Sequence, residues 1–199
     1  MRNLKTILII VMAILVAQPV MANKKHANDT YKVDRHTERL QMLLLLNGIK
    51  NTYECSIPAT DRGTVIATCH DHDVIDLRTN RIIGTAVDAT ADVDAVDSGF
   101  VATGTTFFYL KNGSFVIRAR GSIQPVLEGA PVLDGSPVTH IAGIFPQSGE
   151  NHVLSGTGVF RRATGTFNLL GALDLTNSSK GQSAFNCIYT INLHLNRHY

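Results

Sequence analysis

The chain reads as an all-β protein of eight or nine antiparallel strands closed into a barrel or stacked as a sandwich, and three observations predict it. Long stretches alternate apolar and polar residues with a period of two, which is how a strand separates its two faces. Turn signals recur between these stretches, the strongest being Asn112-Gly113, a pair that tolerates the positive φ of a tight hairpin. The 199 residues are rich in Thr, Gly, Val, Ile and Phe and contain no Trp, a composition that favours strands over helices.

The elements follow in order. Arg2 and Lys5 precede an apolar run from Ile7 to Ala17, and Val20-Met21-Ala22 supplies the small residues a signal peptidase reads. The run is shorter than the ~20 apolar residues a membrane-spanning helix needs. Residues 1–22 are therefore expected to be a signal peptide, residues 23–38 a polar flexible leader, and residues 39–199 a single barrel domain. The signal holds 2 of the 18 Lys+Arg and none of the 16 Asp+Glu, so the mature chain carries 18 − 2 = 16 positive against 16 negative side chains. This neutrality points to neither nucleic acid nor an anionic membrane surface as a partner. The expected location is secreted or periplasmic.

Residues 40–46 are apolar but brief and are read as a buried strand. Tyr53, Cys55 and Ile57 alternate with polar residues, and 58–63 makes a turn. Strands are expected at 64–76, 81–93 and 100–110. Beyond the Asn112-Gly113 turn, Phe115, Ile117, Ala119, Gly121 and Ile123 form an apolar face against Ser114, Val116, Arg118, Arg120 and Ser122. Residues 127–137 read as a loop, followed by strands at 140–145, 153–160, 166–175 and 185–193. The last places Cys187, Tyr189, Ile191 and Leu193 on one face.

Chemistry-bearing motifs are few. In Cys69-His70-Asp71-His72-Asp73, a strand sets the two histidines on one face and the two carboxylates on the other. Two His two residues apart can grip a metal, but a site needs a third ligand, and nothing in the sequence brings His140 or His152 to them; no metal is expected. Gly156-Thr157-Gly158 lacks the third glycine and the helix of a phosphate loop, and no G-x-S-x-G elbow occurs. Arg118, Arg120, Arg161 and Arg162 read as a solvated outer face. Tyr53, Asp71, Asp73 and Tyr189 each share a strand face with apolar neighbours, and these four are the candidate ligand-binding residues of a lumen.

The segment 156–167, Gly-Thr-Gly-Val-Phe-Arg-Arg-Ala-Thr-Gly-Thr-Phe, resembles the late-barrel signature of the allene oxide cyclase and dirigent proteins, as do the hairpin across Asn112-Gly113 and the stretch from Asp76 to Asn80 followed by Ile83-Gly84. Arg162 departs from that pattern, standing where many members carry a second glycine. The resemblance implies an eight-stranded antiparallel barrel of calycin-like shape with an apolar lumen, assembled as a homodimer or homotrimer. It also implies cofactor-free cyclisation, isomerisation or directed coupling of a small, largely apolar molecule. The catalytic set of the plant cyclases does not map onto this chain. The alternative expectation is a non-catalytic exported carrier or interaction protein whose barrel is filled.

Cys55, Cys69 and Cys187 leave one disulfide and one thiol in an oxidising compartment. Closing an up-and-down barrel brings its first and last strands together, which favours a Cys55–Cys187 pair. A hairpin turn centred between Thr60 and Asp61 would set Cys55 opposite Ile66, away from Cys69.

Overall fold

The computed structural model describes residues 39–59, 63–126, 132–133 and 136–195. The expected signal peptide and leader lie outside the described residues. The strands are β1 (Arg39–Asn51), β2 (Tyr53–Pro58), β3 (Thr64–Asp76), β4 (Arg81–Val96), β5 (Gly99–Leu110), β6 (Gly113–Pro125), β7 (Val132–Leu133), β8 (Ser136–Pro137), β9 (His140–Ile144), β10 (Val153–Gly156), β11 (Thr164–Asp174) and β12 (Gln182–His194). The eight strands β1, β12, β11, β9, β6, β5, β4 and β3 pair in that order, each antiparallel to the next. A pairing of β1 with β3 at Leu44–Asp76, Leu45–Ile75 and Leu46–Val74 completes the ring. The fold is thus a closed eight-stranded antiparallel barrel, with β2 added beyond β3 and β10 on β6.

Period-two patterning dictates the lumen. Met42, Leu44 and Leu46 of β1 are buried, as are Phe115 and Ile117 of β6, Phe167, Leu169 and Leu173 of β11, and Tyr189, Ile191 and Leu193 of β12. The brief apolar run at 40–46 is the first barrel strand because its alternate residues fill this interior. The expected strand 153–160 is shorter: Gly156 ends it, and Gly158–Phe160 turns as a single 3-10 turn that drops Phe160 into the core and leaves Val159 exposed. Arg162 has a φ of 59°, the left-handed conformation that a glycine adopts without steric cost. The backbone at Arg162 therefore suits a glycine better than the arginine that stands there.

β3 does not keep one buried face. Ala67 and Cys69 are buried, then His70, His72, Val74 and Asp76. The second set faces the lumen. The first belongs to a separate apolar cluster with Ile57, Ala89 and Ala91, against which Cys55, Val65, Val87 and Phe107 pack. On β4 these residues alternate with Ala86 and Asp88, so the cluster lies on the outer face of the barrel wall. One hydrogen bond explains how an outer face becomes a core: the Arg118 guanidinium of β6 donates from Nη2 to the Pro58 carbonyl of β2. In the sheet order these strands are four spacings of about 4.8 Å apart, too far for a flat sheet. The wall β2–β6 must curl outward until β2 overhangs the outer faces of β4 to β6.

The disulfide joins Cys55 to Cys69 across this curl, with their Cα atoms 6.0 Å apart. The expected Cys55–Cys187 pair is therefore corrected, for two reasons. The strand that closes the barrel against β12 is β1, not β2, so Cys187 faces Leu46 and Gly171. The β2–β3 register also sets Cys55 opposite Ala67 and Tyr53 opposite Cys69, one residue from the expected pairing, which returns Cys55 and Cys69 to the same face as diagonal neighbours. Cys187 is the free, buried thiol. Its sulfur is accommodated by Gly171, where a Cβ would stand 2.6 Å from Sγ.

Candidate functional site: the barrel lumen

One part of the lumen is filled by rings. Phe108 and Phe115 stack at 4.8 Å, Phe115 lies 4.8 Å from Phe160, and Phe167 stacks on Tyr189 at 5.9 Å. His152 closes the cluster edge-on to Phe167 at 5.1 Å. Its Nδ1 accepts from the Phe167 backbone N–H, which leaves Nε2 to face the Glu150 carboxylate at 3.0 Å.

Beyond Tyr189 the residues become small. Ala102, Gly104, Gly121 and Ala142, with Ile123, Ile144, Leu173 and Phe185, border a cavity of about 70 Å³. That volume holds several waters, at roughly 10–15 Å³ each, or the end of a larger guest. Polar groups converge at its inner side. Asp88 of β4 lines the cavity, and its Oδ1 accepts from the Thr106 hydroxyl at 2.8 Å and from the Tyr189 hydroxyl at 3.3 Å. The two hydroxyls are 3.2 Å apart. Cys187 lines the same space.

Burial pushes the Asp88 carboxyl above its ordinary 3.8, although both hydroxyls pull the other way by bonding the ionised form. Burial and the nearby Asp88 charge push the Tyr189 phenol and the Cys187 thiol up, so both stay protonated at neutral pH. His70 stands directly opposite Asp88 in the β3–β4 register. Its ring lies edge-on to Phe185 at 4.5 Å. Burial lowers its pKa from 6.5, opposed more weakly by the Asp88 backbone and the Asp71 charge. His72 also sits edge-on to Phe185, at 5.5 Å. Among the described residues no group of three or more His, Cys, Asp or Glu is placed to hold a metal ion.

Of the four residues read from the sequence as ligand-binding, Tyr189 is in the lumen. Tyr53, Asp71 and Asp73 are on the outer face, where the Tyr53 hydroxyl donates to Asp71 Oδ1 at 3.0 Å. The sequence reading did not pick out Asp88, Thr106 or Phe185, and it weighed His70 only with His72 as a possible metal pair. The signal that could have found Asp88 is its spacing of two from Ala86 and Thr90 on a strand whose other face is Val87, Ala89 and Ala91.

Asp88 and His70 give stability opposite pH dependences. A raised carboxyl pKa means the folded chain holds that proton more tightly than the unfolded one. Its contribution is full below 3.8 and declines as pH rises through the folded value. The lowered His70 pKa contributes above 6.5 and is lost as pH falls through the folded value. Asp88→Asn is expected to flatten the high-pH decline and leave the low-pH loss in place, as read by urea unfolding across that range. An unchanged profile in the Asn variant would place the burden elsewhere.

No family model matches the chain, and no curated protein matches it. Among solved structures it is similar to the pterocarpan synthase dirigent protein PsPTS1, with 13% identity, a TM-score of 0.43 and coverage of 80% of this chain and 97% of that one. It is also similar to the pterocarpan synthase dirigent protein GePTS1, with 16% identity, a TM-score of 0.40 and coverage of 88% and 99%. The strand pairings by themselves make this chain a closed eight-stranded antiparallel barrel.

Proposed function

We propose that the chain is an exported barrel that seats the polar end of a small, largely apolar molecule at Asp88, Thr106 and Tyr189. It holds that molecule in one conformation for cyclisation, isomerisation or coupling, by shape and hydrogen bonding alone. The carrying observation is the convergence of these three polar groups in a largely apolar cavity. Desolvation raises the pKa of the half-buried Asp88 carboxyl, and an enclosed apolar wall restricts the guest to few conformers. The Cys55–Cys69 disulfide fits an oxidising compartment.

Phenol and toluene, matched in ring size, test this by NMR titration. Phenol is expected to bind more tightly, with perturbations at Ile123, Ile144 and Leu173, and Asp88→Asn is expected to reduce the preference several-fold. The ring-filled part of the lumen favours a second reading, a packed barrel that serves as an interaction protein. Failure of both compounds to bind would select it.

A further inference from the structure

The outward curl creates a second cavity, and it is the larger one. It measures about 330 Å³ against about 70 Å³ for the lumen. Ile57, Val65 and Ala91 give it an apolar floor, and Asp92, Thr103 and Arg118 give it polar walls. It lies on the opposite side of β4 from Asp88, so it is separate from the lumen site.

Both charged groups are set there by identifiable local structure. Asp92 sits in an irregularity of the β4–β5 ladder, where the register shifts between Ala91 and Asp94. It has a φ of 48°, a left-handed conformation that non-glycine residues seldom adopt. Bulges of this kind re-aim a side chain that regular pairing would send elsewhere. Arg118 is anchored by two neutral acceptors, Thr105 Oγ1 at 2.8 Å and the Pro58 carbonyl. A guanidinium carries five N–H groups and a full positive charge, so among the described residues these two bonds fix its position without neutralising it. The neighbouring Arg120 is engaged instead with Asp94.

We infer that the cavity framed by Ile57, Val65, Ala91, Asp92, Thr103 and Arg118 is a second binding site for a small zwitterion with an apolar body, of the α-amino acid class. The carboxylate of such a ligand pairs with Arg118, whose planar fork suits it. The ammonium faces Asp92, and the hydrocarbon side chain covers Ile57, Val65 and Ala91. A single-charge ligand pairs with only one of the two charged walls.

Leucine and 4-methylpentanoate, which is leucine without its amine, separate these contributions. Titrated into the full exported chain and followed by calorimetry and methyl NMR, leucine is expected to perturb Ile57, Val65 and Ala91. It is expected to bind at least tenfold more tightly than 4-methylpentanoate. Asp92→Asn should abolish that preference, and Arg118→Gln should weaken both compounds at least tenfold. Because Arg118 also holds β2, Thr103→Leu serves as a second variant: it fills the cavity without touching that bond and should block leucine while leaving the unfolding midpoint nearly unchanged. Leucine binding weaker than about 1 mM, equal affinity for the two compounds, or perturbations confined to lumen residues such as Ile123 and Phe167 would each overturn the assignment.

Discussion

Phe108→Ala is expected to cost about 3–5 kcal/mol of folding stability, the range for truncating a fully buried aromatic side chain. Phe108 has no exposed surface. It stacks on Phe115 at 4.8 Å and meets Tyr189 edge-on at 5.7 Å, so its removal leaves a void bordered by two rings that cannot both collapse into it. For a domain of this size each kcal/mol moves the thermal midpoint by about 2–4 °C, which puts the loss at roughly 6–20 °C. The variant should also weaken phenol binding, because Tyr189 loses the ring that orients its hydroxyl toward Asp88. Calorimetric unfolding checks the first effect and the phenol titration the second. A loss below about 1 kcal/mol would mean that the aromatic cluster relaxes freely.

Replacing both disulfide cysteines, Cys55→Ala with Cys69→Ala, is expected to cost about 3 kcal/mol. That is the chain-entropy value for closing a loop of about 15 residues; the sequence separation here is 14. Reductant should lower the unfolding midpoint of the unmodified protein by a similar amount and leave the double variant unchanged. Cys187→Ala should preserve the response to reductant, since Cys187 is not in the bridge. Peptide mapping without reductant should recover a Cys55–Cys69 peptide; a Cys187-containing bridge, or a midpoint insensitive to reductant, would contradict the pairing.

Strand positions were legible in the sequence wherever one face is apolar and the other wet. β3 was expected and found at 64–76, and β6 and β12 show the alternation read from them. The reading failed where both faces carry similar residues. Along β3, His70 and His72 alternate with Asp71 and Asp73, so polarity does not say which pair faces inward. Along β4, Ala86, Asp88 and Thr90 alternate with Val87, Ala89 and Ala91, so polarity alone assigns Asp88 and Thr90 to a wet outer face although they line the lumen cavity. The hairpin register of β2 with β3 turned on a single residue, and a slip of one exchanges the faces of every side chain. That slip, together with taking β2 rather than β1 as the closing strand, accounts for the incorrect disulfide pair. The curl of β2–β6 joins strands far apart in the sheet through an apolar cluster and the Arg118–Pro58 bond, contacts that no local pattern encodes.

The placement of β2 beyond β3 bears on solubility as well as folding. An unpaired strand edge is a template on which another chain can add a strand, and proteins suppress this by keeping edges short or blocking them. β2 is six residues long and ends in Pro58, which has no N–H to offer a newcomer. The edge it covers is more hazardous: residues 64–69, Thr-Val-Ile-Ala-Thr-Cys, are uncharged and β-prone. The Cys55–Cys69 bridge and the Arg118–Pro58 bond hold this cover in place. In a reducing compartment one of these restraints is gone, and the same fold carries a loosely guarded edge that favours aggregation before global unfolding begins.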